Sequence, residues 1–531
     1  MQLGGKKIIL NQNFYLDSIK RYLRHKATSS ILITVIFFIV SFIGIQHHEI
    51  WMDEAQAWLL SRDSANLSAL FSNIHIEGHP ITWYLLLYVI SKFSLDPFFM
   101  QLSHIGLSTL AAFLFIRYSP FNFNIKILFL LGYYVFYEYN LISRNYILCL
   151  LFLYVFLIVY SRNKDNLILH AILLGFLANS HLIGMILAGI LFLVLVLWNN
   201  LKKSFFSFET RKLLLPTLIF AILVIIPLHQ MSGAVISNVN FHSQLEFSFQ
   251  ALSRGAIVVY KGLFPFPNIK DFHFWNTNYL ISMMKPLAGT IGMLSILIPL
   301  FVIKKKEGLL IFYINAFLTS VFIFITQMSA TRYVGMIFFG LVASLWIDDS
   351  NEEPHKSQLQ ENPYFRPILS KFFIYLILLV QASAGVVAWV SDYRYPFSQA
   401  KACNNYINSK NLGKLPVVSH YCAGTALSAY LQKKVYYTSI NAYGSFCDWS
   451  YPYDHPCCNY EQLTSVLESV LAKSDSTLLI FHEPIADSLK SKFLNGRTQN
   501  TNFRLTHLQN FTGSVIRNEN FYAYLAFRRP N

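Results

Sequence analysis

Long apolar runs recur along most of the chain, and they constrain its fold more than any other feature. A helix needs about 17 to 25 mainly apolar residues to cross the hydrocarbon core of a bilayer. Runs of about this length lie near residues 29–45, 97–117, 125–141, 143–161, 167–181, 182–198, 212–229, 284–303, 308–327, 331–348 and 369–391. The sequence therefore predicts a polytopic α-helical membrane protein with about 11 transmembrane helices.

The composition agrees with this class. Of the 531 residues, 54% are hydrophobic and 13% are charged, which is unlike a soluble enzyme. The net charge of +15 comes from short Lys and Arg clusters between the apolar runs, as the positive-inside rule expects. We attribute the charge to topology and to contact with membrane lipids, and we exclude nucleic acid as a partner. The basic stretch from Lys6 to Lys26 precedes an apolar run without a cleavage site, so we expect a retained first helix.

The run from Ile81 to Phe93 decides the predicted sidedness, because about 13 residues are too few for a span. Counted as a crossing, it would put the later basic clusters outside; these are Arg162, Lys164, Lys202, Lys203 and Lys304 to Lys306. If the run is an interfacial segment, these basic clusters lie in the cytoplasm together with the N-terminus. We therefore expect the loops 46–96 and 231–283 and everything after Asp392 on the outer face, as in a multi-pass protein of a bacterial inner membrane.

The tail changes composition after the last apolar run. Apolar strand patterns at 415–419, 434–438 and 477–481 alternate with helical patterns near 398–407, 424–431 and 461–471. This alternation predicts a small α/β domain. We divide the chain into a transmembrane domain, residues 1–391, and an extracytoplasmic α/β domain, residues 392–531.

Five of the six cysteines lie in the tail; they are Cys403, Cys422, Cys447, Cys457 and Cys458. An external compartment permits disulfides, and the spacing does not match a zinc site. The odd number leaves at least one thiol unpaired or intermolecular. The pairing cannot be read from the sequence.

The first predicted external loop carries an unusual concentration of chemistry. Asp53 and Glu54 are adjacent acids between Trp51 and Trp58, and the same loop continues with Arg62 and with Glu77-Gly78-His79-Pro80. Paired carboxylates where a membrane helix meets water can serve general acid-base chemistry. The alternative is structural, because acids are favoured at helix N-termini and tryptophans at membrane interfaces.

Several basic residues fall near the outer ends of predicted helices, where the positive-inside rule disfavours them. These residues are Arg144, His181, Arg254 and Arg332. An anionic partner would explain them, and snorkelling to lipid headgroups is the alternative for each.

Four short motifs together resemble the GT-C glycosyltransferases that use polyprenyl-phosphate sugars, such as protein O-mannosyltransferases and lipid A aminoarabinose transferases. They are Asp53-Glu54, His79-Pro80, Ser143-Arg144-Asn145-Tyr146 and Ala178-Asn179-Ser180-His181. One proline stands where two are common in that family. The resemblance covers roughly residues 30–200.

The resemblance implies an inverting transfer of a hexosyl or pentosyl group from a polyprenyl-phosphate donor to a glycan, lipid or protein acceptor at the outer face. It assigns catalysis to Asp53 with Glu54 in support. For donor-phosphate binding the resemblance points to His79 and Arg144, and the predicted outer-face positions of Arg254 and Arg332 add these two as candidates. Substrate contacts fall to Arg62, Glu77, His181 and Tyr146.

Two alternatives to this reading are a transporter or flippase of a lipid-linked glycan and a structural membrane scaffold. A transporter should carry polar residues in the middle of several spans, and here charge gathers at helix ends. Acids and histidines crowd the first loop: His47, His48, Glu49, Asp53, Glu54, His75, Glu77 and His79. We expect no required cofactor, although this set makes a divalent metal possible.

Overall fold

The protein is a polytopic membrane protein followed by a small sheet domain. The structure is a computed structural model that describes residues 28–201, 208–233, 249–326, 328–349, 365–449, 460–489 and 503–528. Within these ranges, seven helices are long and apolar enough to cross a membrane: Thr28–His47, Phe98–Tyr118, Arg211–Gln230, Lys285–Val302, Lys306–Thr326, Thr331–Asp349 and Pro367–Arg394. Lys202, Lys203, Cys457 and Cys458 lie outside the described residues.

Four of the predicted spans are shorter or interrupted in the structure. The run 143–161 forms the helix Tyr146–Arg162, the run 167–181 forms Leu167–Ala178, and the run 182–198 forms Leu182–Leu191 followed by a π-helical stretch, Phe192–Trp198. The run 125–141 is not one helix, and this part of the prediction is wrong. It consists of Phe123–Leu130 and a π-helical turn, Tyr133–Glu138.

The interruption has a packing reason. The chain turns at Gly132, and the backbone of Leu131 and Gly132 lies against Gly385 of the last membrane helix. Any side chain at position 385 would collide with that backbone. Apolar periodicity cannot reveal such a contact, because it registers only which residues are apolar.

The first loop folds into three helices, Met52–Asp63, Leu67–Asn73 and Thr82–Ser91. The last of these has 10 residues, which confirms that Ile81 to Phe93 is too short for a crossing. The remaining helices between the spans are Asn199–Leu201, Phe208–Leu213, Phe249–Leu263 and Tyr279–Met283; the span Lys285–Val302 consists of Lys285–Ser295 and Ile298–Val302.

The tail forms a six-stranded mixed sheet with helices. Its strands are β1 Val417–Ser419, β2 Val435–Tyr437, β3 Ala442–Gly444, β4 Ser476–Phe481, β5 Phe503–Phe511 and β6 Phe521–Arg528, and its helices are Ala400–Ser409, Thr425–Leu431 and Tyr460–Leu471. The strand order is β3-β2-β1-β4-β6-β5, with β1 parallel to β2 and β4 and the other pairs antiparallel. The predicted α/β domain is confirmed, and β3, β5 and β6 were not predicted.

The cysteines are partly accounted for. A disulfide joins Cys422 and Cys447, whereas Cys149 and Cys403 are buried free thiols.

The sheet domain packs directly on the helix Met52–Asp63. The backbone N–H of Met52 donates to Glu519 (2.8 Å), and that of Ile50 donates to the Tyr430 hydroxyl (2.9 Å). The Gln56 amide exchanges two hydrogen bonds of 2.8 Å with the backbone of Cys447. The first loop is therefore held between the membrane helices and the tail.

Candidate functional site

Asp53 lies in the first turn of the helix Met52–Asp63, where its side chain is 20% exposed. Its Oδ2 atom is 2.6 Å from Nη1 of Arg144 and 3.4 Å from Nη2 of Arg332. These two arginines come from the starts of the helical regions that contain Tyr146–Arg162 and Thr331–Asp349. One carboxylate thus meets two buried cations, and with His79 they form what we call the Asp53 cluster.

His79 completes this cluster as a neutral group. Nη2 of Arg144 donates to Nε2 of His79 at 2.9 Å, so that this ring nitrogen is an acceptor. Burial lowers the pKa of His79 well below its ordinary value, and the nearby charges of Arg144 and Arg332 lower it further. The cluster therefore holds two positive charges against the single negative charge of Asp53.

Arg332 has hydrogen-bonding capacity to spare. Its guanidinium lies 5.7 Å from the ring centre of Trp51, 5.1 Å from that of Trp275 and 5.2 Å from that of Tyr333. Such aromatic neighbours stabilise a cation but do not satisfy its N–H groups. Nε and Nη1 are buried and have no hydrogen-bond partner among the described residues. An anion with several oxygens would satisfy them.

His181 and Tyr146 extend the polar surface beside the Asp53 cluster. His181 caps the helix Leu182–Leu191, since its Nδ1 accepts from the backbone N–H of Ile183 at 3.1 Å. Its ring lies 5.0 Å from that of His79 and 4.5 Å from that of Tyr146. Nε2 of His181 and the hydroxyl of Tyr146 are buried without a partner in the described part of the chain.

A cavity of about 650 Å³ adjoins the cluster. Asp53, His79, Arg144 and His181 contribute to its polar wall. An apolar part of its wall comes from the ends of two membrane helices and the residues that follow them: Leu228, Met231, Phe322, Ile325 and Met328. Arg211–Gln230, one of these helices, exposes a row of apolar side chains that includes Leu214, Leu218, Ile222 and Ile225. The cavity therefore joins a cationic surface to a lipid-facing one.

Glu77 lies at another side of the cavity, where the tail meets the first loop. Its Oε1 accepts from the Gln56 amide and from the Trp449 indole, each at 2.8 Å, and its Oε2 accepts from the Tyr84 hydroxyl at 3.2 Å. Burial raises the pKa of Glu77 above its ordinary value. All four residues line the cavity, so the sheet domain supplies part of the wall through Trp449.

Glu54 points away from the cavity, although it is the neighbour of Asp53. Its Oε1 accepts from the backbone N–H of Ser143 (2.6 Å), and its Oε2 accepts from His48 (3.1 Å). His48 also contacts Asp392 at 2.8 Å. These four residues form what we call the Glu54 cluster, which joins the first loop to the last membrane helix.

His48 is the cation of the Glu54 cluster. Burial alone would lower the pKa of His48, but the carboxylates of Asp392 and Glu54 outweigh burial and raise it well above its ordinary value. Glu54 is fully buried and also accepts from the backbone N–H of Trp51 at 3.3 Å. Its geometry fits a positioning residue for Asp53 and the Ser143-Arg144 segment.

The structure brings most of the predicted site residues together, with three exceptions. Glu54, which was predicted to support catalysis, points into the Glu54 cluster and does not line the cavity. Arg62 is engaged by the adjacent Asp63, at 2.7 Å and 2.9 Å, and it faces the tail. Arg254 is exposed on the helix Phe249–Leu263, and it does not line the cavity. Neither has a contact here that would support a role in binding the substrate.

Sequence reasoning missed Gln56, Trp449 and Asp392. Gln56 could have been found, because it lies three positions after Asp53 and so shares its helix face. Trp449 and Asp392 come from remote parts of the chain, and no local pattern marks them.

The acids and histidines of the first loop do not gather around one point. Among the described residues, no group of three or more His, Cys, Asp or Glu side chains is arranged to hold a metal ion. That no cofactor is required, and that a divalent metal is possible, both stay predictions.

Comparisons with known proteins find similarity in structure but not in sequence families. No protein-family model and no curated protein matches the chain. The chain is similar to the crystal structure of ArnT from Cupriavidus metallidurans in the apo state, with a TM-score of 0.46 and 12% sequence identity, over 94% of this chain and 98% of that chain. A likeness of this degree carries no argument about the site, whose interpretation rests on the contacts above.

Proposed function

We propose that the protein is an integral membrane glycosyltransferase that moves a sugar from a polyprenyl-phosphate donor to an acceptor at the outer face of the membrane. The observation that carries the proposal is the carboxylate of Asp53 held between Arg144 and Arg332 beside a cavity with a lipid-facing wall. The motifs of the first loop, which resemble those of GT-C enzymes, support it independently.

The charges of the site suit a lipid phosphate. Two buried guanidinium groups share one carboxylate, and a buried charge without a counter-ion is unfavourable. Arginine binds phosphate through several directed hydrogen bonds, and Arg332 has two N–H groups without a partner in the described residues. A phosphate in this cavity would supply the missing negative charge.

The apolar wall suits the rest of such a donor. A polyprenyl chain gains nothing from a polar cavity, but it can lie against side chains such as Leu228, Phe322 and Ile325. These residues belong to helices that face lipid, so the donor would enter from the bilayer with its phosphate directed at the arginines. A water-soluble nucleotide sugar would have no use for this wall.

The proposed reaction follows from the same placement. Asp53 accepts the proton of an acceptor hydroxyl while the hydroxyl oxygen attacks the anomeric carbon and the bond to the phosphate oxygen breaks. General-base help of this kind typically contributes about 10² to 10⁴ in rate. The leaving polyprenyl phosphate gains one negative charge, which Arg144 and Arg332 stabilise.

The direct test uses the full chain in lipid nanodiscs with a panel of radiolabelled polyprenyl-phosphate sugars and an envelope extract as the source of acceptor. We expect at least one donor to lose its label to the extract, and Asp53→Asn to abolish that loss. A protein that cleaves none of the donors would contradict the proposal. Passage of intact donor across proteoliposomes would support the flippase alternative instead.

The outer-face assignment needs its own test. A cysteine introduced at Leu95, in a background without exposed native thiols, should react in intact cells with an impermeant thiol reagent, and so should a cysteine introduced at Tyr395. Labelling that requires permeabilised cells would place the site on the cytoplasmic face.

A further inference from the structure

We propose that Asp53 occupies the place of the donor phosphate until the donor arrives, so that the phosphate must displace this carboxylate before Asp53 can act as a base. The inference rests on the proposed function and adds an order of events to it, with donor before acceptor. The ion pairs of Asp53 themselves would regulate when the site can react.

The first argument is that carboxylate and phosphate are alternative ligands of the same groups. Oδ2 of Asp53 contacts Arg144 at 2.6 Å and Arg332 at 3.4 Å. Both kinds of anion bind guanidinium through charge-assisted hydrogen bonds. While Asp53 holds this position, Nη1 of Arg144 and Nη2 of Arg332 are engaged, and so is Oδ2 of Asp53.

The second argument is that the two arginines have no substitute for Asp53 among the described residues. Glu54 is engaged by His48 and Ser143, and Glu138 by Tyr133 and Trp275. Glu77 accepts from the three donors described above, Gln56, Trp449 and Tyr84. Among the described residues, Asp53 is therefore the carboxylate that pairs directly with both arginines, and an incoming anion can replace it in these contacts.

The exchange has a chemical consequence. When a phosphodiester takes the arginines, Asp53 is released beside the anomeric carbon with its proton-accepting oxygen free. In the transfer, the acceptor O–H proton passes to Asp53, the C–O bond to the acceptor forms, and the C–O bond to phosphate breaks. Neutral Asp53 and a doubly charged phosphate monoester result, so the total charge is conserved and the arginines keep the more strongly charged partner.

The inference predicts that removing the carboxylate improves phosphate binding. A binding site that is competent only part of the time shows an affinity reduced by the competent fraction. If Asp53 covers the arginines about nine-tenths of the time, Asp53→Asn should bind farnesyl phosphate, a short polyprenyl monophosphate, about tenfold more tightly than wild type. The measurement is a calorimetric titration of the full chain in nanodiscs.

A control separates displacement from a general change of charge. Asp96→Asn removes an exposed acid of the same loop while keeping an oxygen to cap Phe98, and it lies outside the cavity. This variant should bind farnesyl phosphate within about twofold of wild type. Equal tightening in Asp96→Asn and Asp53→Asn would indicate general electrostatics and overturn the inference.

A second variant keeps the test valid if Asp53→Asn does not purify as a folded protein. Asp53→Gly leaves room for acetate, which should bind the arginines, raise the melting temperature and compete with farnesyl phosphate; wild type should not respond to acetate. Unchanged farnesyl phosphate affinity in the Asp53 variants, with normal transfer by wild type, would overturn the inference alone. Absence of both phosphate binding and transfer in wild type would overturn the proposed function.

Discussion

Asp53 and Glu54 are adjacent residues of one helical turn, yet they belong to clusters of opposite character. The Asp53 cluster faces a cavity, has more positive than negative charge and leaves N–H groups of Arg332 without partners in the described structure. In the Glu54 cluster both carboxylates contact His48, and Glu54 itself is closed off, because both of its oxygens accept hydrogen bonds and two of these come from backbone N–H groups. The comparison indicates that Asp53 is available for chemistry, whereas Glu54 stabilises the fold.

The largest expected effect comes from a change in the Asp53 cluster, which faces the cavity. Asp53→Asn keeps the shape of the side chain but cannot accept a proton, so sugar transfer should fall about 10²- to 10⁴-fold. The measurement is the initial rate with a labelled donor, with the melting temperature as a control for folding. Turnover comparable to wild type would remove Asp53 from the mechanism.

A change in the Glu54 cluster should lower the stability of the protein. Glu54→Gln leaves protonated His48 with one carboxylate fewer and presents an amide to groups that are all donors, which should cost about 3 kcal/mol of stability. Glu461→Gln, an exposed change on the helix Tyr460–Leu471, is the matched control. The measurement is the midpoint of thermal unfolding in detergent. If Glu54→Gln were as stable as Glu461→Gln but as inactive as Asp53→Asn, the distinction between the clusters would fail.

A third change sharpens the assignment of the phosphate site. Arg144→Ala should weaken binding of farnesyl phosphate by about 10- to 100-fold, since hydrogen bonds to charged groups contribute about 1.5 to 3 kcal/mol. Arg254→Ala removes the same charge from an exposed position and should leave the affinity near wild type. Equal losses in the two variants would restore Arg254 to the site and assign both effects to overall charge.

The smallest expected effect concerns the contact between Glu519 and the start of the helix Met52–Asp63. Burial raises the pKa of Glu519 to about 8, and its hydrogen bonds from Ser398 and Met52 lower the pKa only in part. A carboxyl group whose pKa is higher in the folded state binds more protons when folded. Its contribution to stability is therefore lost as pH rises from its unfolded pKa towards about 8.

Glu519→Gln should flatten this pH dependence, because the amide stays neutral and can still accept from the backbone of Met52. The measurement is the melting temperature of wild type and variant between pH 5 and pH 9, which spans about the range set by the shifted pKa. A wild-type slope that persists unchanged in the variant would assign the titration to another group.

Much of the tail could be predicted, because buried strands and amphipathic helices leave local patterns. β1, β2 and β4 and all three predicted helices lie within two residues of their expected bounds. β5 was missed for a physical reason. In β5, polar residues such as Thr506, Gln509 and Asn510 break the apolar alternation, since an edge strand need bury little.

In the membrane part and at the site, prediction from sequence was limited to features that local patterns reveal. Asp53, His79 and Arg144 were predicted to meet because sidedness and motif order brought them to one face, and the structure joins them through direct contacts. The break at Gly132 and the wall residue Trp449 depend on packing between remote segments. Such contacts are not encoded in any single stretch of sequence.

The link between Gln56 and Cys447 has a consequence for how this architecture can diversify. Gln56 contacts the C=O and the N–H of Cys447, so this one contact depends on main-chain geometry and not on the identity of the side chain. A tail with a different sequence could dock in the same register, provided that its main chain follows the same course and that it keeps the side-chain contacts of Glu519 and Tyr430. The part of the cavity wall formed by Trp449 could then be replaced together with the tail. Chimeric proteins that keep Gln56 would offer a route to new acceptors.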